Sequence, residues 1–359
     1  MSFIVFPLKF GGNYYSLIRN VVYIFHPKIG YVLKNQLLYS NPTSPPDNAP
    51  RKVHFVEVCT NDQGFLTKIK SEDFSKFNKI IFCIGGSTTV GWESHYNKTY
   101  PVLLDNLIKP NGYRCINAGV GGYRSIHELL LFKHKIMRYN PYAIILFSGY
   151  NDFISYYYRV SKPFNPHAHF NGEWLQKNYF DEVARYSSLL YLMKKKVIQF
   201  YKMEFRTPNT NSLLINNAKD ALLNKNNWLD EWIINITDIF NLCKTNGIKV
   251  FFLSHIHPMF INATPEAKKY ADKDIGMDGM FDALVKFHKI LREESINLCL
   301  KNNMTFLDIA ADFEKLNSKF SGPDYYKNRF SWFTDRVHIT EKGNEFIANS
   351  IYNKIKNTL

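Results

Sequence analysis

The sequence predicts an α/β fold in which a parallel sheet is covered by helices on both faces. Two observations carry this. From residue 79 onward, short β-rich apolar runs alternate with stretches of helical spacing, the order that builds parallel sheets. The run YAIILFS at 142–148 is also apolar without alternation, as a strand buried on both faces must be.

The elements follow in order. KIIFCI (79–84) is a first strand, and YPVLLDNLIK (100–109) has helical spacing. YRCIN (113–117) is a second strand, and SIHELLLFKHKIMRY (125–139) an amphipathic helix. The apolar run at 142–148 is the third strand. A long helix over about 216–244 feeds KVFFLSH (249–255), a fourth strand, and a helical stretch over about 280–301 leads to MTFLDIA (304–310), a fifth. A last helix spans about 341–355. Residues 1–75 read as an N-terminal extension packing on the main domain at 76–359, with the connector NPTSPPDNAP at 41–50 breaking helix and strand alike. An aromatic, basic insertion at about 153–215 interrupts the alternation and reads either as a lid or substrate wall or as a decorative insertion with ordinary packing.

Composition limits the function. Among 359 residues, 45 Lys+Arg against 31 Asp+Glu give a formal net charge of +14. The cations are spread thinly, with Lys194-Lys195-Lys196 the densest cluster, so a solvated surface is expected, with a slight lean toward an anionic substrate. No nucleic-acid motif occurs, and no nucleic-acid partner is expected. The five cysteines (Cys59, Cys83, Cys115, Cys243, Cys299) are odd in number and lack C-x-x-C spacing, which suits a reducing compartment. With neither a charged leader nor an 18-residue apolar stretch, a cytoplasmic location is expected. The aromatic segment Tyr14–Leu33 reads as cover for its own domain, a peripheral membrane contact being the lesser alternative.

Ligands of an open parallel sheet bind at the carboxyl ends of its strands. The first strand is followed by Gly85-Gly86-Ser87-Thr88-Thr89, a tight turn that presents a hydroxyl. The second is followed by Ala118-Gly119-Val120-Gly121-Gly122, and the third by Gly149-Tyr150-Asn151-Asp152. Thr334-Asp335-Arg336-Val337-His338 stands just ahead of the last helix. A serine hydroxyl needs an imidazole to take its proton, and the imidazole needs a carboxylate to hold its tautomer. Ser87, His338 and Asp335 supply these parts. The N–H groups of Ser87 and Gly122 and the Asn151 amide supply three donors for an oxyanion.

Read together, these blocks resemble the SGNH (GDSL-like) hydrolase superfamily. Ser87 matches the block I serine, Gly122 in INAGVGGYRS the block II glycine, Asn151 in GYND the block III asparagine, and Asp335 and His338 in DRVHIT the block V D-x-x-H. The resemblance covers roughly residues 76–359. It implies a three-layer α/β/α sandwich with a flavodoxin-like parallel sheet of about five strands. Block I usually reads G-D-S, and here Gly86 stands where the Asp would be. The upstream TNDQGF (60–65) is similar to a preamble of some bacterial members, with Leu66 in place of its arginine.

The function expected is ester hydrolysis through an acyl-serine intermediate. The substrate would be a small-molecule, carbohydrate or lipid acyl ester. An O-acyltransferase using the same site, or a non-catalytic module retaining the fold, is the alternative. No cofactor is expected, since neither G-x-G-x-x-G nor a P-loop occurs. No metal is expected either: His255 and His257 in SHIHP lack a carboxylate at ligand spacing and read as loop residues. Trp92 reads as core packing or pocket lining alongside His95, Asp152 as a support of the asparagine loop, and Thr88 as helix-capping material.

Overall fold

The computed structural model describes residues 22–40, 57–77, 79–158, 225–275 and 280–359. Four short strands come first. β1 (Tyr23–His26) pairs antiparallel with β2 (Gly30–Leu33), and β3 (Leu38–Ser40) with β4 (Glu57–Cys59). The main sheet follows: β5 (Lys79–Gly85), β6 (Tyr113–Asn117), β7 (Ala143–Phe147), β8 (Lys249–Leu253) and β9 (Thr305–Leu307). All its pairings are parallel, in the spatial order β6-β5-β7-β8-β9. Counted within this sheet, the order is 2-1-3-4-5, that of flavodoxin-like folds.

Side chains alternate across each strand, and here both faces are apolar. Ile80, Phe82, Ile84, Ile144, Leu146, Val250 and Phe252 enter one core, while Ile81, Cys83, Ile145, Phe147, Phe251 and Leu253 enter the other. The strands therefore read as continuous apolar runs rather than alternating ones. The second face is covered by α2 (Tyr100–Ile108), α8 (Ile309–Asn317) and α10 (Glu341–Ile355), the short α1 (Ser87–Val90) lying at the strand ends. α2 buries Tyr100, Leu104 and Ile108, and α10 buries Ile347, Ile351 and Ile355, each at four-residue spacing. The first face carries α3 (Ser125–Leu131), α5 (Lys225–Thr245) and α7 (Phe281–Asn302). On α5, Trp228, Trp232, Ile236 and Phe240 form one stripe, and all four are buried. These are the three layers expected, and the fold class is an α/β/α sandwich.

The N-terminal strands share the first core. Val22, Tyr31, Val32, Leu33 and Val58 are buried with Phe82 and Ile84. The Tyr31 hydroxyl donates to the Gly121 carbonyl at 2.7 Å, and the Leu66 N–H donates to the carbonyl of Asn117 at the end of β6. Thus residues well upstream of the sheet brace the loop that follows β6.

The structure departs from the expected elements in three places. The helix expected over 125–139 is α-helical only to Leu131, then continues as a π turn (Phe132–Ile136) and a 3-10 turn (Met137–Tyr139). It stops at Asn140, whose φ of 45° is left-handed, just before Pro141. Four helices among the described residues were not expected from the sequence: α4 (Tyr150–Tyr158), α6 (Pro265–Ile275), α8, and α9 (Gly322–Phe330). They are only 9 to 11 residues long, too short for a stripe to repeat over many turns, and β1–β4 are only three or four residues long. Of the insertion expected at 153–215, the described part is the end of α4 (Tyr150–Tyr158); residues 159–224 lie outside the described residues. So do the connector at 41–50 and the first nine residues of the helix expected from 216. Among the described residues, no helix is long and apolar enough to cross a membrane.

Candidate active site

The site forms where β5 and β7 end, next to the point at which the strand order reverses, the usual crevice of a doubly wound sheet. β5 runs out at Gly85, Gly86 precedes the first helical turn, and Ser87 opens α1. The departure at Gly86 has a steric reason. A Cβ there would lie 2.7 Å from Nδ2 of Asn151, so a side chain would push the amide out of the crevice. Asn151 sits in the first turn of α4 and donates one amide N–H to the Tyr123 carbonyl at 2.9 Å. The amide has a second N–H.

The loop after β6 is held by the Val120 N–H on the Gly85 carbonyl and closes as a turn, with the Tyr123 N–H on the Val120 carbonyl. Gly122 takes the third position of that turn with φ +78°, a conformation that favours glycine, and it is exposed. Ser87, being first in its helix, has no preceding helical carbonyl to accept its N–H.

His338 reaches the same crevice from the loop before α10. The Thr334 N–H donates to the His338 carbonyl at 2.9 Å, and the Thr340 N–H to the Trp332 carbonyl, which closes the loop. Inside it, Asp335 Oδ1 accepts the N–H groups of Val337 at 2.8 Å and His338 at 2.7 Å. Its other oxygen, Oδ2, stands 2.6 Å from His338 Nδ1, and His338 Nε2 stands 2.8 Å from Ser87 Oγ. An ionised carboxylate only accepts, so the imidazole proton lies on Nδ1 and Nε2 is left to accept from the serine hydroxyl. Burial would raise the Asp335 pKa, but His338 and the two N–H donors outweigh it and hold the carboxyl well below its ordinary value. Burial likewise opposes charging of His338, yet Asp335, followed by Glu93, raises its pKa above the ordinary histidine value.

Four of the five predicted site residues meet at one edge of the sheet. Ser87, His338 and Asp335 form one hydrogen-bonded chain, and Asn151 abuts Gly86. Ser87, Asn151, Thr88, Tyr123, Tyr150, His255 and Val337 are among the residues lining a cleft of about 260 Å³, mouth included. Gly122 is not among them.

Other expectations resolve individually. Asp152 is buried and accepts from the Ser125 N–H and, at 2.6 Å, the Ser125 hydroxyl, which ties the asparagine turn to α3. Trp92 packs where a Cβ on Gly121 would stand. His95 Nδ1 pairs with Glu341 at 2.7 Å, joining the stretch after α1 to the start of α10. Thr88 lies inside α1, and Gly86, not a hydroxyl, occupies the cap. His255 has its Nε2 on the Ser148 carbonyl at 2.9 Å, and His257 stacks on His288 with ring centroids 4.0 Å apart. Burial lowers the pKa of all three histidines, that of His255 to about 4, so they are neutral at pH 7.

Two acidic residues at the site were missed. Glu93 Oε1 lies 3.8 Å from His338 Nδ1. Glu128 lines the cleft from α3, and burial, followed by the nearby Asp152, raises its pKa well above the ordinary value. The sequence signal for Glu93 was Gly91, whose φ of +73° ends α1 and turns the chain back toward the site. Glu93, Asp335 and His338 are also the one group among the described residues whose ligand atoms, all within 4.8 Å of one another, could hold a metal ion. A metal bound through His338 would have to displace a hydrogen bond to Ser87 or to Asp335.

The molecule is a carboxylic ester hydrolase built on a three-layer α/β/α sandwich. The model of the GDSL-like Lipase/Acylhydrolase family matches residues 81–351, and the chain belongs to that family. No curated protein matches the sequence. Similar solved structures include an acetyl xylan esterase at 18% identity, covering 77% of this chain and 99% of that one with a TM-score of 0.42. A GDSL-like lipase from Bacteroides thetaiotaomicron is 18% identical, covering 79% and 91% with a TM-score of 0.42. An acetylxylan esterase from Geobacillus stearothermophilus is 13% identical, covering 77% and 94% with a TM-score of 0.43.

Proposed function

We propose that the enzyme cleaves small acyl esters through an acyl-serine intermediate on Ser87. The observation that carries the reading is the unbroken chain Ser87 Oγ, His338 Nε2, His338 Nδ1, Asp335 Oδ2, with steps of 2.8 and 2.6 Å. In this reading Ser87 Oγ attacks the ester carbonyl as His338 Nε2 takes its proton, and Asp335 stabilises the imidazolium formed. The oxyanion is met by the N–H groups of Ser87 and Gly122 and by the second N–H of the Asn151 amide. His338 then returns the proton to the leaving alcohol oxygen, which departs and leaves acyl-Ser87. A water, deprotonated by the same nitrogen, attacks the acyl carbon, and proton return to Ser87 Oγ releases the acid.

A short acyl group suits the small space beside Ser87, which Tyr123, Phe147, Tyr150 and Val337 crowd. The formal net charge of +14 suits an alcohol part that carries negative charge, whether on a carbohydrate or a lipid.

The test is covalent labelling. A fluorophosphonate phosphonylates only a serine activated by a neighbouring base, so one adduct on Ser87, formed in step with loss of esterase activity, is expected. Labelling at another serine, or activity that survives full labelling, would refute the assignment. The pH profile is a second check. His338 must be neutral to accept the proton, and its pKa is raised, so kcat/KM should fall as the pH drops, with a midpoint above the ordinary value of about 6.5. Asp335, held low, adds no step in that range. A flat profile between about pH 5 and 8 would remove His338 as the base.

A further inference from the structure

Glu93 has no part in the mechanism above, yet it stands at the imidazole. Its Oε1 is 3.8 Å from His338 Nδ1, on the same nitrogen that Asp335 Oδ2 meets at 2.6 Å, and its side chain is only 10% exposed. It comes from the turn directly after the nucleophile's helix, whereas Asp335 belongs to the histidine's own loop. The two carboxylates approach His338 from separate elements. We propose that Glu93 is a second positioning carboxylate for His338, sharing the imidazolium charge with Asp335 and accepting the Nδ1 proton when Asp335 is removed. The proposal rests on the reading of His338 as the base for Ser87.

The charges around the ring support it. Asp335 Oδ1 is committed to two backbone N–H groups, which leaves that residue a single oxygen for the ring. Arg336 opposes the imidazolium, and across the cleft His255 and Glu128 are both driven toward their neutral forms. Glu93 is therefore the second negative group the forming imidazolium meets. Moving a proton from Ser87 to His338 places positive charge between two carboxylates, and losing either one weakens that step.

The experiment compares wild type, Glu93→Gln, Asp335→Ala and the double variant on p-nitrophenyl acetate, with His338 followed by NMR titration. Glu93→Gln is expected to lower kcat about tenfold with KM little changed, and to move the acidic limb down by about half to one pH unit. With Asp335 already removed, the same change should cost about a hundredfold, because the last carboxylate on Nδ1 is then gone. Equal fold losses in the two backgrounds, with an unmoved limb, would overturn the proposal. An unchanged His338 titration in Glu93→Gln would do so independently of any rate. If instead Ser87→Ala kept full activity, the serine mechanism would fail, while the NMR titration would still decide whether Glu93 acts on His338.

Discussion

Replacing Ser87 with alanine is expected to lower kcat on p-nitrophenyl acetate by about 10⁴–10⁶ while the protein stays folded. The change deletes one oxygen, whose hydrogen bond among the described residues is to His338 Nε2. It leaves the α1 backbone and the Gly86–Asn151 contact as they are. Residual turnover, from the oxyanion donors and binding alone, would exceed the rate in water by about 10³–10⁴. His338→Ala should cost about as much as Ser87→Ala, and the double variant little more, because the two act as one unit. A series from acetate to octanoate tests the size of the cleft in the same assay, with the shortest chain favoured. Hydrolysis by Ser87→Ala at the wild-type rate would end the assignment.

The second large effect concerns stability. Arg329 on α9 is wholly buried and donates to the carbonyls of His257, Pro258 and Met259, and it pairs with Glu314 of α8 at 2.6 Å. Those three carbonyls belong to the loop just beyond β8, so one guanidinium fastens α8, α9 and that loop together. Arg329→Met keeps most of the volume but leaves three buried acceptors without their donor. Glu314 is half-exposed and can turn to water, so the cost lies mainly with the carbonyls. Removing one partner from such a buried arrangement costs about 3–5 kcal/mol. At roughly 2–4 °C per kcal/mol, Tm should fall by about 6–20 °C. Arg329 does not line the cleft, so activity per folded molecule at low temperature should stay near wild type. A Tm within about 2 °C of wild type would contradict this account.

The sheet was legible in the sequence because its strands are apolar on both faces. KIIFCI, YRCIN and YAIILFS are runs that few other environments accommodate, and the structure places strands at 79–85, 113–117 and 143–147. Ser87, Gly122, Asn151, Asp335 and His338 could be picked out for a related reason: each lies where the chain leaves the sheet or enters a helix, and glycine or a D-x-x-H spacing marks the turn. Glu128 carries no such mark, and for Glu93 the mark is only Gly91, two residues before it. A glutamate on an amphipathic stretch reads as surface, and only the return of the chain after Gly91 and the docking of α3 bring these two to the crevice. His288 and Arg329 were opaque for the same reason, since their importance lies in what faces them from other elements. Gly86 was read as a departure from the common block I motif, and its contact with the Asn151 amide explains why a side chain there is disfavoured.

The closing loop has a consequence in time as well as in space. Ser87 and His338 are 251 positions apart, and α10 is anchored to the nucleophile's half of the chain by Asn344 on the Tyr100 N–H and the Ser94 hydroxyl, and by Glu341 on His95. Contacts between such distant positions require the entropy of closing the intervening chain to be overcome. A nascent or refolding molecule with its sheet assembled but α10 undocked therefore carries a serine without a base. In the proposed mechanism hydrolytic competence requires that docking, so esterase activity should return on refolding no earlier than the α10 contacts do.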